Sequence, residues 1–323
     1  MKKFSRLTAG LVSVAILLGS AYGITHRQDI FDYLALRNYA PSERIVALAN
    51  DTTMKEGVRR VFYINHPALS NKVEFRSNCP STEKSIVLGC YVQHKGIYLL
   101  DVEDERLQGV VQVTAAHEVL HAEYDRLSDN ERARIDQMTA DFFSRLDDDR
   151  IKKTIEQYRE KDASVVPNEL HSILATEVKN LSPELESYYS QYFNNRTRIV
   201  EYSENYEQTF VGLDKQVEGY DKELASLKST IESNNLEIEG LNNEIELQKS
   251  RLDALLSSGR TEEYNASVSE FNTRVNSHNA LVETTKRLVA EHNAIVEKRN
   301  AIATTEQELV EAINSNIEPQ KQE

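Results

Sequence analysis

A mainly helical chain, made of a small α+β domain followed by a long antiparallel coiled-coil hairpin, is the fold class that three observations predict. The 323 residues include only 11 Gly and 6 Pro and no Trp, among abundant Leu, Glu, Asn and Lys, which leaves few turns and long helical stretches. Short β-branched and aromatic runs are confined to residues 60–102, enough for one small mixed sheet. From residue 210 onward, apolar residues recur in steps of three and four, broken once near Gly259. The length allows one or two domains with a core of useful size. Lys plus Arg is 38 against 52 Asp plus Glu, a net charge of -14, which argues against nucleic acid as the partner.

Taken in order, Lys2, Lys3 and Arg6 precede an uncharged stretch over residues 7–24, close to the roughly 20 residues that span hydrocarbon as a helix. Residues 1–26 are therefore expected to form a single-pass anchor in the cell membrane, with Tyr22 at the interface and the body extracytoplasmic. Ala21-Tyr22-Gly23 supplies the alternative, a cleaved signal peptide and a secreted chain. In an oxidising compartment, Cys79 and Cys90 are expected to form a disulfide, stabilising by about 2–3 kcal/mol on loop-entropy arithmetic. Their spacing is not the CxxC of a redox or zinc site.

Residues 27–200 read as one domain. A helix over 27–39 ends at Ala40-Pro41, and Ser42 caps a second through Ile45, Ala47 and Leu48. Four strands are predicted at 60–64, 72–75, 85–92 and 97–102, the last two joined by the turn Gln93-His94-Lys95-Gly96. A helix capped near Asp104 then carries Leu107, Val110, Val111, Thr114, His117, Leu120 and His121 to about Leu127. Ser128 and Glu131 form a capping box for a helix turning Ile135, Met138 and Phe142 inward. Further helices are expected within 147–162, at 169–177 after Pro167-Asn168, and after Ser182-Pro183, where Tyr188, Tyr189, Tyr192 and Phe193 have core-like spacing.

Residues 201–323 carry the coiled coil. Phe210, Leu213, Val217, Tyr220, Leu224, Leu227, Ile231, Ile238, Leu241, Ile245, Leu252 and Leu255 form one seam, with Asn234 and Gln248 as polar members. Gly259 marks the tip. Thr261 caps a second helix whose stripe runs Tyr264, Val268, Phe271, Val275, Val282, Val289, Val296 and Val310. Asn265, Asn272, Asn279, Asn293 and Asn300 share one heptad position, read as a solvated flank.

The chemistry concentrates in His117-Glu118-Val119-Leu120-His121. Residues four apart lie on one face of a helix, so both imidazoles can bind a single zinc ion. Glu118 then projects beside the metal, where its carboxylate takes a proton from water. With Thr114-Ala115-Ala116 before it and Ala122 after it, this stretch resembles the zincin superfamily of metallopeptidases; Glu123 departs, since the family has an apolar residue there. The resemblance covers residues 60–177. It implies a zincin-like domain in which one sheet edge binds substrate as an added strand, and residues 97–102 are the expected edge.

A catalytic zinc takes a third protein ligand. Metzincins would continue to a glycine and a third His, but Tyr124 and Leu127 stand at those positions. The chain is similar instead to gluzincins, which draw a Glu from a later helix, here Glu169 or Glu177. Glu169 shares its face with the small residues Ser172 and Thr176, which permit close approach to the His117 helix, so it is the expected ligand. Glu177, beside Leu170, Ile173 and Leu174, is the alternative ligand or a partner of a ligating histidine. His171, Tyr188, Tyr189 and Tyr192 are chemically able to donate to a transition-state oxygen. The expected function is that of a membrane-tethered zinc metalloendopeptidase acting on protein or peptide substrates, with a partner or a second copy held through the coiled coil. The alternative is an interaction or scaffold protein with an inactive zincin-like domain.

Overall fold

The computed structural model describes Ser20, Tyr22, Gly23 and residues 25–79 and 86–315. Helices α1 (Arg27–Leu36), α2 (Glu43–Asp51) and α3 (Glu56–Ile64) lead into β1 (Ala68–Ser70), α4 (Lys72–Asn78), β2 (Gly89–Val92) and β3 (Gly96–Leu100). A 3-10 turn at Glu105–Leu107 precedes α5 (Val110–Asp125). Then come α6 (Asp129–Phe143), α7 (Asp149–Asp162), α8 (Val166–Glu177), α9 (Pro183–Tyr189) and the long helices α10 (Arg196–Ser257) and α11 (Thr261–Ile313). The described chain is thus mainly helical with one small mixed sheet.

The sheet has the order β1-β3-β2, with β1 parallel and β2 antiparallel to β3. Two of the expected strands are helices. Residues 60–64 belong to α3, where Val58, Val61 and Phe62 are buried at helical spacing, so burial on one face outweighs β-branched propensity. Residues 72–75 lie in α4, because the Asn71 side chain accepts from the Val73 and Glu74 amides and starts a helix. Residues 97–102 are not an edge. Their strand, β3, is central, and the edges are β1 and β2.

Asp104 caps the 3-10 turn, and α5 begins only after Gly109. Gly109 has φ +104°, and a Cβ there would meet the Tyr202 carbonyl oxygen at 2.8 Å, so the chain must break before the motif helix. Once started, α5 is buried on most sides through Val113, Ala115, Ala116, Val119, Leu120 and Ala122. The capping box at Ser128 and Glu131 forms, as does the cap by Ser42, and Ser182 starts its helix; Asp148 caps α7, which the sequence reading did not single out.

The anchor expected over residues 1–26 falls largely outside the described residues. Among the described residues no helix is long and apolar enough to cross a membrane. The helix described after that stretch, α1, has 10 residues and carries Arg27, Asp29 and Asp32, too short and too polar to span hydrocarbon. This corrects the expectation of a single-pass anchor and of the cell-membrane location built on it.

Two compact units divide the chain: residues 1–208 with 309–323, and residues 209–308. In the second unit, segments of α10 and α11 face each other with opposite direction. Arg299 pairs with Asp221 at 2.5 Å, the Asn234 amide donates to Thr285 Oγ1 at 3.1 Å, and Arg274 pairs with Glu244. Gly259, at φ +73°, makes the turn. Leu213, Leu252, Leu255, Thr285 and Ile295 are buried within this unit. The five heptad asparagines are all exposed.

Candidate metal centre

The motif helix α5 turns His117 and His121 to one face, one turn apart, with ring centroids 4.7 Å apart and the rings edge to face. Helix α8 packs across α5 through Ser172, Ala175 and Thr176, all fully buried small residues. Its first turn brings Glu169 over the histidines. His117 Nε2 lies 3.5 Å from Glu169 Oε2, and His121 Nε2 lies 3.7 Å from Oε1. One ligand atom from each of the three residues lies within 4.8 Å of the others.

These separations are long for hydrogen bonds and suit ligands around one ion. Donors each about 2.0–2.2 Å from a tetrahedral zinc lie roughly 3.3–3.6 Å from one another. Two imidazoles and a carboxylate form a donor set that zinc accepts. Glu169 Oε2 is buried and has no hydrogen-bond partner among the described residues, an acceptor facing the gap between the rings. His121 Nδ1 lies 2.9 Å from Asn168 Oδ1, an oxygen that only accepts, so the ring carries its proton on Nδ1 and presents a lone pair at Nε2. Ser172 Oγ lies 3.4 Å from the same Nδ1. The residues present fit a zinc ion.

The electrostatics follow the same arrangement. Burial pushes the Glu169 carboxyl up, but the two histidines and a hydrogen bond from Tyr158 outweigh it and hold the carboxyl below its ordinary range. Glu118 is 6% exposed. Burial pushes its carboxyl up to about 7, His121 opposes that rise, Glu169 adds to it, and the Tyr91 backbone N–H opposes it.

Of the remaining expected residues, Glu177 is not part of this group. It sits at the far end of α8, 2.5 Å from Arg150 Nη1, and Arg150 also reaches Glu207 at 3.0 Å. His171 is fully buried, which holds its pKa down at about 3, and its Nε2 lies 3.0 Å from the Tyr188 hydroxyl. Tyr188 and Tyr192 share a hydrogen bond of 2.8 Å, and Tyr189 donates to the His171 carbonyl at 2.8 Å. These four aromatic side chains are tied to one another inside the core. Cys79 and Cys90 are joined as a disulfide with Cα atoms 6.0 Å apart.

Sequence reasoning missed Asn168, Tyr158 and Gly89. Asn168 stands next to Glu169, where the sequence marks only a helix start. Tyr158 lies in a charged helix with no motif around it. Gly89, within a predicted strand, lies directly against Glu118. A cavity of about 520 Å³ lined by Arg44, Leu48, Leu69, Asp104, Leu107 and Gln112 contains none of the cluster residues. Comparison with protein-family models, with curated proteins and with solved structures gives no match.

Proposed function

We propose that this chain is a zinc-dependent metallopeptidase of gluzincin-like type, with a zincin-like domain and a coiled-coil hairpin made by the segments of α10 and α11 beyond residue 208. The observation that carries the reading is the convergence of His117, His121 and Glu169, with Glu118 buried beside them. A zinc ion held by those three residues would supply Lewis acidity and lower the pKa of a water in its open position. Glu118 accepts the proton of the attacking water and delivers it to the leaving amine. Asn168 fixes the tautomer of His121, and Tyr158 steadies the Glu169 carboxylate. The substrate class is a peptide or protein.

The test is direct. Purified protein should hold one zinc per chain and hydrolyse a denatured protein, with activity lost on chelation and restored by zinc. Absence of hydrolysis from zinc-loaded protein would remove the peptidase reading. A second reading, an interaction protein with an inactive zincin-like domain, is favoured by Leu236 and Leu247, which are 71% and 73% exposed in the second unit. Zinc stoichiometry together with hydrolysis separates the two.

A further inference from the structure

Strand β2 meets the motif helix α5 where no side chain fits. A Cβ on Gly89 would lie 2.4 Å from Thr114 Cγ2, 2.7 Å from Glu118 Oε1 and 2.8 Å from Glu118 Cγ. The Leu88 carbonyl accepts from the Leu100 amide at 2.8 Å, so by the alternation of an antiparallel pair the backbone groups of Gly89 and Tyr91 point away from β3. The Tyr91 N–H is directed at the Glu118 carboxylate. Between them, Cys90 is fastened to Cys79 by the disulfide. Farther along α5, Asp125 receives the Tyr91 hydroxyl. The strand is therefore held on both sides of its contact with Glu118.

We propose that Gly89 and the Tyr91 amide form a backbone seat for the Glu118 carboxyl and act as positioning residues for the general base. This deepens the metallopeptidase reading and rests on it. Gly89 lets the strand lie against the Glu118 side chain, and the Tyr91 N–H holds the carboxylate on that side. A buried carboxylate otherwise has several rotamers and few donors; the seat selects one orientation beside the histidines. Oε1 is the oxygen nearest Gly89.

Two measurements on the full chain test this. The first needs no activity: hydrogen exchange at the Tyr91 amide, on a free sheet edge, should be slow in the native protein and about tenfold or more faster in Glu118→Ala. The Leu100 amide, bonded to Leu88, serves as the unchanged control. Fast exchange at Tyr91 in the native protein, or no change in Glu118→Ala, overturns the seat. The second measurement uses Gly89→Ala combined with Thr114→Ser, since the serine removes the nearest clash and keeps the hydroxyl bonded to the Val110 carbonyl. Relative to Thr114→Ser alone, kcat should fall by roughly 100-fold with KM and zinc stoichiometry unchanged. In a Glu118→Asp background, which withdraws the carboxyl by one methylene, the same glycine substitution should cost less than about threefold. Equal losses in both backgrounds overturn the proposal. If native, zinc-loaded protein cleaves no peptide, the peptidase reading falls, and the Tyr91 exchange alone decides whether the seat exists.

Discussion

At His121 the bond to Asn168, the shorter of two contacts at Nδ1, decides which ring nitrogen is available to a metal. Asn168→Ala removes the closer acceptor at Nδ1, leaves only the longer contact with Ser172, and should weaken zinc binding by about 10–100-fold in a chelator competition. Unchanged affinity would remove Asn168 from the site. Glu118→Gln keeps shape and zinc but cannot accept a proton, so activity should fall by at least about 10²–10⁴-fold while the metal content stays at one. Glu169→Ala should lose zinc far more severely than Glu177→Ala, because Glu177 is engaged by Arg150 at the other end of α8. The reverse order of affinities would move the third ligand. Glu118 also predicts a pH dependence of the metal-free protein. Its carboxyl is raised from 4.5 to about 7 in the folded state. The unfolded chain releases that proton at lower pH, so the stability present below about 4.5 is lost as pH rises through 7, a change on the order of 3 kcal/mol. Between pH 5 and pH 7.5 chelated native protein should therefore lose more stability than chelated Glu118→Gln, while His171, held neutral by burial, pulls in the opposite direction in both proteins. Glu123, also raised to about 7 by burial, adds in the same direction and is left in place by that variant.

Elements were legible where a side chain announces them. The caps at Ser42, Ser128 and Ser182 start helices as their side chains dictate, and the HExxH helix is present around the motif. Residues 60–64 misled because Val, Phe, Tyr and Ile are rated as strand formers, whereas the spacing of Val58, Val61 and Phe62 buries one helical face. Strand β1 was invisible: three residues, Ala-Leu-Ser, carry no periodicity, and only their parallel pairing with β3 makes them a strand. The break before α5 was missed for a similar reason, since what demands glycine at 109 is the distant Tyr202 backbone. That contact is testable. Gly109→Ala combines a left-handed φ with a backbone clash and should cost about 1–3 kcal/mol in urea unfolding. A neutral effect would show that the two segments separate at little cost. The Cys79–Cys90 bridge should appear as linked peptides in unreduced digests. Glu169 was legible beside the motif, whereas Asn168, Tyr158 and Gly89, which reach His121, Glu169 and Glu118 from three different elements, carry no signal in the sequence.

At the scale of the whole molecule, the heptad pattern and the pairing of α10 with α11 make one prediction about the second unit. The pairs Asp221 with Arg299, Asn234 with Thr285, and Glu244 with Arg274 step inward toward Gly259 from both sides, as expected when each arm advances residue for residue past the other. Asn234 and Thr285 place a polar pair within a largely apolar seam, and such a pair loses its hydrogen bond when the arms slip by a heptad. Register is thereby specified by chemistry and not only by apolar burial. Spin labels at Leu224 and Val296 fall between the Asp221–Arg299 and Asn234–Thr285 pairs and should be close within a single chain, with the distance unchanged on dilution with unlabelled protein. Loss of the short distance on such dilution would assign the pairing to two chains. A long distance in the monomer would separate the arms altogether. Asn234→Leu should then leave the arms helical but broaden the distance distribution, because removing the polar pair permits slipped registers at little cost in burial; a distribution as narrow as the native one would show that the ion pairs at either end set the register instead.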